Sequence, residues 1–194
     1  MKFSQREIKD LFFAGFLISL AFAILLSPSF SSFNSHVFKI FIFAFFTAGL
    51  GFLLHELAHK YLAQSYKLHA EFHAFYPMLF LAVALSFAGF IFAAPGAVFI
   101  RGLITKEKNG KISLAGPLIN IVISIIFLFL VLIFSKSSLS PLFSLGLSIN
   151  SLLAAFNMIP ASSFDGAKIL AWNKSVYTIT LIVAVGLYVL SWFV

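Results

Sequence analysis

Residues 37–63 read VFKIFIFAFFTAGLGFLLHELAHKYLA. The eighteen positions from Val37 to Leu54 carry one charge, Lys39, and then two histidines and a glutamate arrive within five residues. A bilayer core takes roughly 20 mainly apolar residues of helix, so the run predicts a membrane span whose far end holds His55, Glu56 and His59. On a helix, residues four apart stand one turn above each other on one face. Both imidazoles can therefore reach a single metal ion, with Glu56 beside them. Ionisable groups at that depth cost about a few kcal/mol each and mark functional sites by default.

The rest of the chain supports a membrane setting. Of 194 residues, 61% are hydrophobic and 10% charged, with 27 phenylalanines, which excludes a soluble domain of this size. The absence of cysteine removes disulfides, thiolate metal sites and cysteine nucleophiles, and leaves the redox compartment open. A net charge of +7 raises nucleic acid as a partner, but such a surface clusters its cations among stacking aromatics. Here the lysines sit singly between apolar runs, so no nucleic acid is expected. Their distribution fits topology signalling and contact with anionic lipid headgroups.

Apolar segments fall at 11–27, 37–64, 78–94, 114–134, 141–160 and 176–193. They predict an all-α polytopic membrane protein of about five to six transmembrane helices, in one domain over 1–194. A small β element is expected between the motif-bearing helices. Residues 66–76, YKLHAEFHAFY, alternate as a short strand, with Leu68, Ala70, Phe72 and Ala74 on one face and His69, Glu71 and His73 on the other. Pro95-Gly96 and Asn109-Gly110 predict a β-hairpin over 97–114 with Asn109-Gly110 at or near its turn.

Charge fixes the expected number of crossings. If every segment crosses from a cytoplasmic N-terminus, six Lys/Arg fall inside and seven outside; if 78–94 enters and returns, eleven fall inside and only Lys39 and Lys136 outside. The second count obeys the positive-inside rule. It predicts five crossings and a re-entrant or surface-lying 78–94.

HELAH, residues 55–59, matches H-E-x-x-H. Zinc on the two histidines would acidify water, and Glu56 would accept its proton as the water attacks a carbonyl. The competing reading is a polar helix end that happens to carry two histidines. A catalytic zinc needs a third protein ligand and an open position. Among six acidic residues, Glu7 and Asp10 precede the first span, Glu107 lies in the expected hairpin and Glu56 is assigned, which leaves Asp165 and Glu71. In the five-crossing topology the helix bearing His55 and the run leading to Asp165 end on the same face.

HELAH on one span, followed near the end of another by Asn157, Pro160 and Asp165-Gly166, resembles the site-2 protease family of intramembrane zinc metalloproteases. Ala115-Gly116-Pro117 with Asn120 is a third family-like element, and the likeness covers about 37–170. The resemblance implies that His55, His59 and Asp165 bind one zinc per chain, that Glu56 is the general base, and that Asn157 and Asn120 hold the substrate or the oxyanion. It implies cleavage of peptide bonds within or next to transmembrane segments of membrane-protein substrates; the charge count makes the chain a multi-pass cell-membrane protein with its N-terminus and active-site side cytoplasmic. First helix 11–27 and last helix 176–193 would be peripheral. Phe164 replaces the family's usual aliphatic residue, and 78–94 is an insertion relative to the shortest members.

Other polar residues have competing readings. His69, Glu71 and His73 form either a second metal site or a polar strand edge. Asn150 is interhelical glue. Gly49 and Gly51 mark close helix approach. A catalytically silent metal-binding membrane protein remains the alternative to the enzyme, and the oligomeric state is open.

Overall fold

The computed structural model describes residues 1–27, 35–91, 94–161 and 164–194. It is 73% helical with one small two-stranded antiparallel sheet. In chain order the elements are α1 (Gln5–Leu26), α2 (Ser35–Ala44), a π-helical turn (Phe45–Gly49), α3 (Leu50–Ser65), β1 (His69–Ala74), α4 (Tyr76–Ser86), β2 (Gly96–Arg101), α5 (Lys106–Ile133), α6 (Ser140–Asn157), α7 (Asp165–Trp172) and α8 (Lys174–Leu190). They divide into two compact units, Met1–Leu53 with Glu71–Phe99, and Leu54–Ala70 with Ile100–Val194.

Among the described residues, three helices are long and apolar enough to cross a membrane: Gln5–Leu26, Val37–Ser65 and Lys106–Ile133. They mark the chain as a membrane protein. Their surfaces are inverted relative to a soluble helix. Along α5, Leu118, Val122, Ile126, Phe129 and Ile133 are exposed, while Gly116, Asn120 and Ser124 are buried on the other side. That is the pattern expected where lipid is the solvent and polar side chains turn inward. The other apolar helices are shorter or more polar. At 1.5 Å per residue α4 is about 17 Å long, too short to cross a ~30 Å core as a helix. Its 11 residues cover only part of the expected segment 78–94, of which 92–93 lie outside the described residues.

In the first unit, α1 starts where the Ser4 hydroxyl accepts the N–H of Glu7 at 3.1 Å, an N-cap that satisfies one orphan donor. Two acidic residues one turn apart on α1 then serve the sheet. Glu7 Oε1 accepts the Phe72 N–H at 2.8 Å and Asp10 Oδ2 the Ala74 N–H at 3.1 Å, while Tyr76 donates its hydroxyl to Asp10 Oδ1 at 2.7 Å. Phe72 and Ala74 present N–H groups on one edge of β1, so the carboxylates stand where a neighbouring strand's carbonyls would. The strand read at 66–76 is shorter than expected, but its alternation holds: Ala70 and Phe72 are buried and His69 exposed.

The second unit contains most of α3 and all of α5 to α8. α3 ends in a Schellman turn, with Leu68 N–H on Ala63 O at 3.1 Å and Lys67 N–H on Gln64 O at 2.9 Å. Lys67 occupies the left-handed position usually given to glycine, at φ 59°.

The hairpin expected over 97–114 is corrected here. β2 pairs with β1, and residues 106–114 are the start of α5. Asn-Gly was read by turn chemistry, but stronger helix signals surround it. The Thr105 hydroxyl caps the helix by accepting the Lys108 N–H at 3.2 Å, and Lys111 bridges to Glu107 one turn back. Gly110 serves packing: a Cβ there would stand 2.4 Å from the Cβ of Trp172, so its lack of a side chain lets α7 lie against α5.

Candidate metal centre

His55 and His59 sit on α3, and Asp165 is the first residue of α7. All three are buried, at 5%, 8% and 8% exposure. The two Nε2 atoms are 3.0 Å apart, and Asp165 Oδ2 lies 3.4 Å from His55 Nε2 and 3.1 Å from His59 Nε2. Among the described residues this is the one group of histidines and acids able to hold a metal ion.

The far side of each ring decides what the near side can do. His55 Nδ1 faces Asn120 Oδ1 at 2.6 Å, and His59 Nδ1 faces the Ile112 carbonyl at 2.8 Å. Both partners are acceptors, so both Nδ1 atoms carry a proton, and in the neutral rings both Nε2 atoms present lone pairs. Two lone pairs and a carboxylate oxygen then converge on one small space. A proton on one imidazole relieves part of that repulsion; a divalent cation relieves all of it. In tetrahedral zinc with bonds near 2.0–2.1 Å, neighbouring ligand atoms stand about 3.3 Å apart. The triangle of 3.0, 3.1 and 3.4 Å has that size, so these residues fit zinc.

Burial alone would raise the pKa of Asp165. With no metal bound and a proton also on His59 Nε2, the charge of that ring, with hydrogen bonding from the two rings, outweighs it and holds the carboxyl well below the usual range. Lys168 adds a cation 3.7 Å from Oδ1, the oxygen turned away from the histidines.

Backbone closeness makes this geometry possible. A Cβ on Gly166 would stand 2.2 Å from the Met158 carbonyl oxygen, so the chain folds back against the end of α6 and delivers Asp165. A Cβ on Gly116 would lie 2.5 Å from His55 Nε2 and from His59 Nε2. One residue on, Pro117 has no N–H for the Ser113 carbonyl, and the adjoining Ile112 carbonyl is the one that accepts from His59. Gly116→Ala is expected to leave the helices folded but reduce bound zinc far below the wild-type content, read by elemental analysis beside circular dichroism.

Glu56 is buried on the same helix, at 8% exposure. Asn120, fully buried, has its Oδ1 toward His55 and its Nδ2 donating to Asn150 Oδ1 at 3.0 Å, which sets it behind a histidine. Asn157 ends α6 and donates Nδ2 to its own helix, to Leu153 O at 2.9 Å. His69, Glu71 and His73 do not converge. His73 has one ring nitrogen 3.9 Å from Asp10 and the other 3.9 Å from Glu71, and Ser4 donates to Glu71. Their reading as a polar strand edge fits these distances. Sequence reasoning missed Ile112, whose contribution is a carbonyl that no residue type reveals.

Over 196 aligned residues the chain is 40% identical to a Methanocaldococcus jannaschii protein named "Putative zinc metalloprotease", with 98% of each chain covered. The chain belongs to this zinc metalloprotease family. A second protein of that organism, named zinc metalloprotease, is 32% identical over 120 residues, which span 61% of this chain and 30% of the relative. No protein-family model matches the chain, and no solved structure does. Membership in a zinc metalloprotease family agrees with the donor set that geometry alone assembles.

Proposed function

We propose that this zinc metalloprotease is an intramembrane endopeptidase of the site-2 protease type, cutting peptide bonds within or next to transmembrane segments of membrane-protein substrates. The observation that carries the reading is the depth of the ligands. His55 lies eighteen residues after Val37 on a 29-residue apolar helix, about 27 Å along it at 1.5 Å per residue. That is near the inner limit of a ~30 Å core.

Zinc, when bound, supplies a Lewis acid that polarises a carbonyl and acidifies water. His55, His59 and Asp165 hold it, one ion per chain. Glu56 takes a proton from water as its oxygen adds to the scissile carbonyl carbon, and returns it to the nitrogen as the C–N bond breaks, giving a carboxylate and an amine. Asn157, at the end of α6, steadies the substrate or oxyanion; Asn120 orients His55.

A transmembrane substrate must unwind to expose its carbonyls, and the freed groups need partners. Because Glu7 and Asp10 occupy one edge of β1, the outer edge of β2 is the edge offered to an extended segment. Orientation follows the charge count, with N-terminus and active site cytoplasmic in a multi-pass cell-membrane protein of five crossings.

The test is cleavage in liposomes of a peptide with one transmembrane segment, with the cut mapped by mass spectrometry. A cut within or a few residues from the apolar segment is expected. Cuts confined to distant soluble flanks would reject intramembrane proteolysis while leaving the metalloprotease.

A further inference from the structure

His59 has its tautomer set in one step, by the backbone carbonyl of Ile112, which can only accept. His55 has no such direct anchor. Its Nδ1 meets a side-chain amide, Asn120, whose two ends are nearly the same shape but opposite in hydrogen-bonding sense. Turned one way, Asn120 presents oxygen and keeps the proton on Nδ1, leaving Nε2 bare for a metal. Turned the other way, it presents NH₂, drives the proton to Nε2 and removes His55 as a ligand.

The contacts behind Asn120 settle which way it faces. Asn120 Nδ2 donates to Asn150 Oδ1 at 3.0 Å, and Asn150 Nδ2 donates to the Gly146 carbonyl at 2.9 Å. A carbonyl oxygen has no proton to give, so it fixes the sense of Asn150, which fixes Asn120, which fixes His55. Both asparagines are fully buried, where a reversed amide would set donor against donor or oxygen against oxygen. We infer that Asn150 is a positioning residue of the metal centre: with Asn120 it forms a directional hydrogen-bond relay from the Gly146 carbonyl on α6, through α5, to the Nδ1 proton of His55 on α3. The relay makes α6 part of the metal site although none of its side chains is a ligand. Outer partners of ligating histidines typically set metal affinity by about 10–100-fold.

This inference rests on zinc binding at His55, His59 and Asp165. Its test uses the full chain in detergent, with two readouts: zinc release to a chelator, and ¹⁵N spectra of the histidine rings in the zinc-free protein. Asn150→Leu removes the anchor, and is expected to speed zinc release about 10–100-fold and to lower the fraction of His55 protonated at Nδ1. Asn150→Asp preserves the sense in either protonation state: ionised, it accepts from Asn120; protonated, it also donates to Gly146. It should keep wild-type release and the Nδ1 proton. Equal behaviour of folded Leu and Asp variants would overturn the relay. Should the Leu variant not fold, loss of the Nδ1 proton in Asn150→Asp would overturn it and retention would support it. Wild-type protein that binds no zinc would instead reject the metal reading beneath it.

Discussion

Alanine in place of Asp165 is expected to leave the purified chain with little or no zinc, where the wild type carries about one ion. The reason is geometric and electrostatic together. Asp165 Oδ2 closes a triangle whose other corners are two neutral imidazole nitrogens, and it supplies the site's negative charge at the position where its oxygen meets both. Two histidines on one helix remain a weak chelate. The loss should therefore exceed the 10–100-fold typical of removing an outer partner. Folding should survive, because Asp165 stands at the first position of α7 and a carboxylate near a helix N-terminus contributes only about 0.3–1 kcal/mol. Elemental analysis beside circular dichroism makes the measurement. Unchanged zinc would remove Asp165 from the ligand set.

The two motifs were legible because they depend on little beyond helix geometry and scarcity. HELAH needs only the 3.6-residue repeat to bring His55 and His59 onto one face, and with six acids in the chain the search for a third ligand had few candidates. The β element was legible in part. The alternation around Ala70 and Phe72 identified β1, but its partner was misplaced, because Asn109-Gly110 satisfies turn chemistry locally while Trp172, sixty-two residues later in the chain, sets its use. Glu7 and Asp10 read only as acids ahead of a span; that they close a strand edge depends on long-range contacts with Phe72, Ala74 and Tyr76. Asn150 was recognisable as a polar residue between helices, yet its sense toward Asn120 and Gly146 is a three-dimensional property. The π turn at Phe45–Gly49, just before the helix that carries His55 and His59, likewise left no local sign. A glycine and a threonine in an apolar run are compatible with an ordinary α-helix, and only packing decides: a Cβ on Gly49 would stand 2.2 Å from Ser19 Oγ.

Glutamine in place of Glu56 is expected to abolish most cleavage while leaving zinc in place. The amide keeps the size and planarity of the carboxylate but cannot accept a proton at neutral pH. General acid–base assistance contributes about 10²–10⁴-fold, and turnover in the liposome assay should fall by that order. Zinc content should match the wild type, since Glu56 lies outside the triangle formed by His55, His59 and Asp165. The pairing with Asp165→Ala is what gives the result its force. Loss of zinc and cleavage in Asp165→Ala, with loss of cleavage alone in Glu56→Gln, separates a base from a ligand. A zinc-loaded Glu56→Gln protein that cleaves as well as the wild type would show that the base lies elsewhere. A wild type that binds zinc yet cuts none of the membrane or soluble peptides tried would point to the metal-binding, catalytically silent alternative, for which a buried glutamate beside two ligand histidines has no chemical use.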